Sequence, residues 1–121
     1  GLGRRAGTAV VAVRVTPRPL GTSSLVRARA RRLLRFLGRR GADVAGFEPA
    51  PVTGEDGFYA PGYGVPGEAA RAAIEVGAED GLELDPTYAA KAFAALLRHA
   101  RPGRGPLLFL ATSPGPLPSP E

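Results

Sequence analysis

Few residues in this chain could carry chemistry. Of 121 residues only Lys91 is a lysine, against fifteen arginines; only His99 is a histidine, and none is a cysteine. Without thiolates there is no disulfide framework and no thiolate metal site. A histidine metal cluster or a serine–histidine triad would depend on His99 alone. The stretch DGLELDPTYAAKAF, Asp80 to Phe93, concentrates what remains, with Asp85-Pro86-Thr87-Tyr88 lying between a short apolar run and a helical pattern. Either this is a helix start or it is the rim of a site. For the first, Asp85 offers a side-chain acceptor at the N-cap and Pro86 suits N1, where its missing N–H is not needed. Lys91 reads as a helix-surface or structural lysine. His99, near the end of the same helix, reads as a surface residue suited to the negative end of the helix dipole.

A second kind of chemistry is electrostatic. The net charge of +5 is unevenly spread: eleven arginines lie between Arg4 and Arg40, no acid precedes Asp43, and from there acids outnumber bases. Basic blocks of this kind can grip phosphate backbones. No aromatic residue precedes Phe36 to stack a base, however, and the arginines fall on a helix with an apolar stripe. A solvated helix face is therefore favoured, and an arginine-rich RNA-binding domain is the minor alternative. No apolar run approaches the roughly 18 residues of a membrane span. Arg14 interrupts the run from Ala9 to Val13, which argues against a signal peptide. A reducing cytoplasm, compatible with the lack of cysteine, is the expected location. The start at Gly1-Leu2-Gly3 and the lack of any methionine suggest a piece of something longer.

The elements that must position these groups alternate. TAVVAVRV, Thr8 to Val15, is β-branched and apolar, as in a strand buried on both faces of a parallel sheet. TPRPLGTSS follows as a turn, with Thr22, Ser23 or Ser24 able to cap a helix. That helix is predicted over Leu25 to Leu37, with Val26, Ala30, Leu33, Leu34 and Leu37 facing the core, Arg27, Arg31 and Arg35 facing solvent, and Gly38 ending it. From Gly41 to Pro66 periodicity is lost, and short extended pieces with a GEDG turn are expected in a segment whose irregularity suggests function. A second helix is predicted over Glu68 to Ala78, closed near Gly81, then a strand stub or turn at Leu82 to Leu84. A third runs from Pro86 to about Ala100, with Tyr88, Ala92, Ala95 and Leu96 on one face and Phe93 and Leu97 beside them. PLLFLAT, Pro106 to Thr112, reads as another buried strand, and 113–121 as a loop or frayed tail. The fold class is α/β, an incomplete three-layer domain with a parallel sheet over 1–121.

Three stretches in order carry a resemblance: PGYGVP (Pro61 to Pro66), DGLELDPTYAAKAFAALL (Asp80 to Leu97) and LLFLAT (Leu107 to Thr112). They resemble the C-terminal part of the 1-aminocyclopropane-1-carboxylate deaminase and D-cysteine desulfhydrase family, pyridoxal-phosphate enzymes of the tryptophan-synthase β-like fold. GLGRRAGTAVVAVRVTP resembles the segment after that family's phosphate loop. The resemblance implies that the chain is the C-terminal portion of one enzyme domain. The complete protein would bind pyridoxal 5'-phosphate and act on a small amino acid by elimination, releasing ammonia and a keto acid. It would be open to homodimer formation, with no membrane and no nucleic acid as partner. Tyr63 and Tyr88 match two tyrosines that face substrate, and Thr112 a hydroxyl residue near the cofactor's ring nitrogen.

Departures from the pattern are specific. Ala89 stands where the deaminases carry glutamate and the desulfhydrases threonine, which argues against cyclopropane chemistry. Ala111 replaces a histidine, and Ser113-Pro114-Gly115 replaces a glycine pair. The Schiff-base lysine and glycine-rich loop of the family lie upstream of these stretches, and Lys91 matches a different, helix-borne lysine. The chain alone is therefore expected to be inactive, and a degenerate, non-catalytic relative serving as a binding module is the alternative reading.

Overall fold

The computed structural model describes residues 9–103 and 105–112. The expectations for Thr8 and for 113–121 lie outside the described residues. The chain forms two compact units, 1–55 and 56–121.

The first unit is built on β1 (Val10–Val13), α1 (Ser23–Arg39) and β2 (Val52–Glu55). The strands pair in parallel, Val10 opposite Val52 through Val13 opposite Glu55. The Val10 and Arg14 amides extend the ladder at its ends, donating to Pro51 O (3.3 Å) and Glu55 O (2.9 Å). The parallel sheet expected from composition is present. Its second strand is VTGE, however, and not the apolar run at 106–112. Val10 and Val11 are exposed, against the expectation of a strand buried on both faces, because a two-stranded sheet with one helix against it leaves most of its surface open.

Helix α1 begins after Thr22, whose hydroxyl donates back to Pro19 O (3.0 Å) and makes no cap to the helix. It ends beyond the predicted Gly38. Gly41, at φ +86°, donates to Gly38 O (3.1 Å) and Ala42 donates to Leu37 O (3.1 Å), the paired bonds of a Schellman turn. Gly38 instead stays in the helix, with Val44 packed close against it. Leu25, Val26, Ala30 and Leu34 are half-buried and Arg27, Arg31 and Arg35 are exposed, as the pattern predicts. Leu33 is not core: it is 56% exposed, and Leu37 and Phe36 are exposed beside it. The stripe is wider than the single layer that covers it.

The second unit packs α2 (Glu68–Glu79) against α3 (Ala89–His99). Its interior is made of small residues, Ala70, Ala73 and Gly77 from α2 with Ala89, Ala90, Ala94 and Ala95 from α3, plus Phe58 and Phe93. Small side chains let two helices approach closely. Gly77 also makes room for the connection that follows α2: a Cβ there would sit 2.8 Å from Leu84 Cδ1, at the tip of that side chain. Leu82–Leu84 is irregular, neither the strand stub nor the turn expected, with Leu84 packed against that glycine. Helix α2 closes as α1 does, with Gly81 at φ +73° and bonds from Gly81 to Ala78 O (3.1 Å) and Leu82 to Gly77 O (2.8 Å). The expected strand 106–112 is also absent. A strand exists by pairing, and no described segment pairs with it, so Leu108 is 83% exposed. Only Phe109 is engaged, edge-on to Phe93 at 5.3 Å between ring centroids.

Candidate active site

The capped start predicted at Asp85 is present, in a wider form than expected. The Asp85 carboxylate accepts three backbone N–H bonds, from Thr87 (3.0 Å) and Tyr88 (2.7 Å) on Oδ1 and from Ala89 (2.9 Å) on Oδ2. The regular helix begins only at Ala89, so Pro86 to Tyr88 form a turn and not the first helical residues. A carboxylate at this end also sits at the positive pole of the helix. The consequence is a Tyr88 whose backbone is fixed while its side chain leaves the helix start and is 46% exposed. Of the face expected for α3, Ala95 and Phe93 are buried and Ala92 and Leu96 half-buried, whereas Tyr88 and Leu97 are exposed; Ala89, Ala90, Lys91 and Ala94 are buried as well.

Tyr63 reaches Tyr88 from the irregular segment. Gly64, at φ +74°, turns the chain, and Gly62 and Val65 form an antiparallel bridge around it. The two phenol hydroxyls are hydrogen-bonded to each other, with the rings edge to face at 6.0 Å and 72°. The hydrogen bond from Tyr63, with desolvation and the charges of Tyr63 and Asp85 adding to it, holds the Tyr88 pKa above the ordinary tyrosine value. Tyr88 therefore remains a neutral phenol at neutral pH, able to donate a hydrogen bond or a proton. Two of the three expected site residues are thus brought together. Thr112 is exposed, and no hydrogen bond joins it to either tyrosine.

The sequence reading missed the part played by Lys91. Its side chain is 0% exposed, and its ammonium donates to the carbonyl oxygens of Tyr59 (3.0 Å) and Gly62 (2.7 Å), 5.8 Å from the centroid of the Tyr59 ring. Burial lowers its pKa. Of the two expectations the helix-surface one is overturned and the structural one holds. The available signal was compositional: a lone lysine, with alanines at 89, 90, 92, 94 and 95 around it, in a chain that elsewhere uses arginine. His99 occupies the last helical turn as expected but is half-buried rather than on the surface. Farther along, Leu96, Ala100, Arg101, Pro102, Gly105 and Leu107 line an open depression that includes neither tyrosine. Among the described residues no cluster of three or more metal-ligating side chains occurs, and no helix is long and apolar enough to cross a membrane.

No family model matches the chain. Curated relatives do. A D-cysteine desulfhydrase of Serratia proteamaculans is 42% identical over 74 residues, 57% of this chain and 22% of the relative. Those of Klebsiella pneumoniae and Yersinia enterocolitica are 40% identical over 72 residues and 41% over 73, again 22% of each relative. The chain spans about a fifth of the length of the relatives it matches and, over about half of its own length, is similar to D-cysteine desulfhydrases.

Proposed function

We propose that this chain is the C-terminal part of a pyridoxal-phosphate-dependent enzyme of the tryptophan-synthase β-like fold. That enzyme would act on D-cysteine or a similar small amino acid and release ammonia and a keto acid. The observation that carries the reading is the Tyr63–Tyr88 pair. Two residues 25 apart, matched by resemblance to substrate-facing tyrosines, place their hydroxyls on one another at the surface of the second unit. The similarity to D-cysteine desulfhydrases supports the substrate class.

The residues present fit the substrate-facing side of such a site and not its anchor. Lys91, the only lysine, is buried and bonded to two carbonyls, so its amine is not available to condense with an aldehyde. The anchoring lysine and the phosphate loop belong to the rest of the proposed protein. Pyridoxal phosphate, when bound, supplies the electron sink for bond breaking at the substrate's α-carbon. Tyr63 and Tyr88 orient the substrate by hydrogen bonding, and Tyr88 Oη holds a proton through neutral pH for delivery to a leaving group. Thr112 would meet the cofactor ring nitrogen through its hydroxyl.

One observation favours the alternative of a non-catalytic relative: Ala89 is buried and presents only a methyl group where the family carries a polar side chain. The complete protein, supplied with pyridoxal phosphate and D-cysteine, decides between them. Sulfide, ammonia and keto acid should appear, with Tyr88→Phe lowering kcat by about 10²-fold or more, the usual scale for a positioned proton donor. Borohydride reduction of the chain alone with pyridoxal phosphate should leave Lys91 unmodified. A complete protein that binds the cofactor and turns over no amino acid would establish the binding-module reading.

A further inference from the structure

We infer that Lys91 is a positioning residue for the tyrosine pair: its ammonium clasps the 59–62 loop to α3 and so delivers Tyr63 onto Tyr88. The inference rests on the reading that this pair faces substrate.

Two ties join the same two segments. The inner one is Lys91, bonded to the carbonyls that bracket Ala60-Pro61. The outer one is the hydroxyl pair, in which Tyr63 directly follows Gly62 in the chain and Tyr88 precedes Lys91 by three residues, about one helical turn. The ties differ in strength. Tyr63 and Tyr88 are 52% and 46% exposed, so their hydrogen bond competes with water. A bond of that kind is worth a small net amount, too little to order a loop by itself. The inner tie is dry, charge-assisted and doubled, which makes it the stronger constraint. Once the loop is held, the outer bond forms without the loop having to be ordered again.

The choice of lysine is itself informative. Fifteen cationic positions in this chain are arginine, and one of them, Arg14, is buried in the first unit; among the described residues of the second unit the buried cation is the lysine. An ammonium is a compact point charge with three rotatable donors on a flexible stem, so it can split its bonds between two carbonyls in a narrow slot among alanines. A planar guanidinium is larger and presents its donors in a fixed fork. Burying a cation without a carboxylate is costly. The carbonyls of Tyr59 and Gly62 and the face of the Tyr59 ring offset that cost only if the loop adopts this one path. The penalty of a wrong path thus gives the loop its uniqueness.

The full chain, labelled with ¹⁵N-lysine, tests this without cofactor or substrate. A single side-chain ammonium signal, slow to exchange with water, is expected; a rapidly exchanging one overturns the clasp. In Lys91→Met, with far-UV circular dichroism retained, cross-peaks between the Tyr63 and Tyr88 rings should vanish. The late-titrating tyrosine absorbance near 295 nm should also return to about 10, the ordinary value. Lys91→Arg should not restore either signature. Lys91→Gln, which keeps two donors without a buried charge, covers the case in which Lys91→Met fails to fold, and it should weaken the ring cross-peaks. A folded variant at position 91 that keeps both signatures unchanged overturns the proposal and leaves the enzymatic reading standing. Inactivity of the complete protein with the signatures intact has the opposite consequence.

Discussion

Helices α1 and α3 are both amphipathic, yet they use their apolar faces differently. None of the 17 residues of α1 is buried, whereas six of the 11 in α3 are. Helix ends do not decide burial: α1 and α2 close with the same glycine-led turn, at Gly41 and Gly81, yet α2 buries Ala70, Ala73 and Gly77. Side-chain size and charge do. Residues 1–55 carry eleven arginines against three acids, with leucines that need a broad partner surface; residues 56–121 carry five bases against eight acids, with alanines that a neighbouring helix can cover closely. An apolar stripe announces only that burial would be favourable. Whether it happens depends on whether a complementary surface of the right width is present.

The largest effect that could break this contrast is at the cores themselves. Phe93→Ala removes a buried ring and its edge-on contact with Phe109, and should cost about 3–5 kcal/mol. Leu33→Ala, at an exposed position, should cost less than about 1 kcal/mol. Denaturant titration followed by circular dichroism measures both. Equal losses would mean that α1 is covered as fully as α3.

A smaller effect tests the start of α3. Asp85→Ala leaves the amides of Thr87, Tyr88 and Ala89 without their acceptor and should cost about 0.5–2 kcal/mol, as for other N-cap losses. Asp85→Asn should recover much of it. If the alanine variant also keeps the Tyr63–Tyr88 ring contact in NMR spectra, the cap contributes stability alone and Lys91 suffices to set the pair.

How much of this was legible follows the range of the interactions. The strand at Val10–Val13, the arginine face of α1 and the Asp85 cap are set within a few residues, and local pattern exposes them. The strand VTGE owes its state to the open edge of β1 some forty residues earlier. Short extended pieces are expected in this segment, but Gly54 and Glu55, expected to start a GEDG turn, belong to the strand. PLLFLAT shows the converse: ideal strand composition without a described partner remains unpaired. Of the site, the likeness of short motifs pointed to both tyrosines. The lone lysine among alanines hinted at burial, but the acceptors of Lys91 were hidden, because they are backbone carbonyls 29 and 32 residues away, and any sequence offers those.

The smallest expected effect is on the arginine face, and its sign depends on salt. Arg31 and Arg35 are one helical turn apart, exposed and of like charge, an arrangement that costs an isolated helix about 0.2–0.5 kcal/mol. Arg35 lies one turn before Arg39, the cation in the last turn of α1, so little of the gain from the dipole reaches it. The double variant Arg31→Gln/Arg35→Gln should therefore stay within about 0.5 kcal/mol of the parent near 0.15 M salt, where the Debye length of about 8 Å screens both terms. At about 0.01 M salt the repulsion among the eleven arginines of the first unit reaches across the whole helix, and the double variant should become the more stable chain. Urea titrations at the two salt concentrations check this. A loss comparable to that of Phe93→Ala would mean that these guanidiniums are held by partners, and the solvated reading of that face would fall with it.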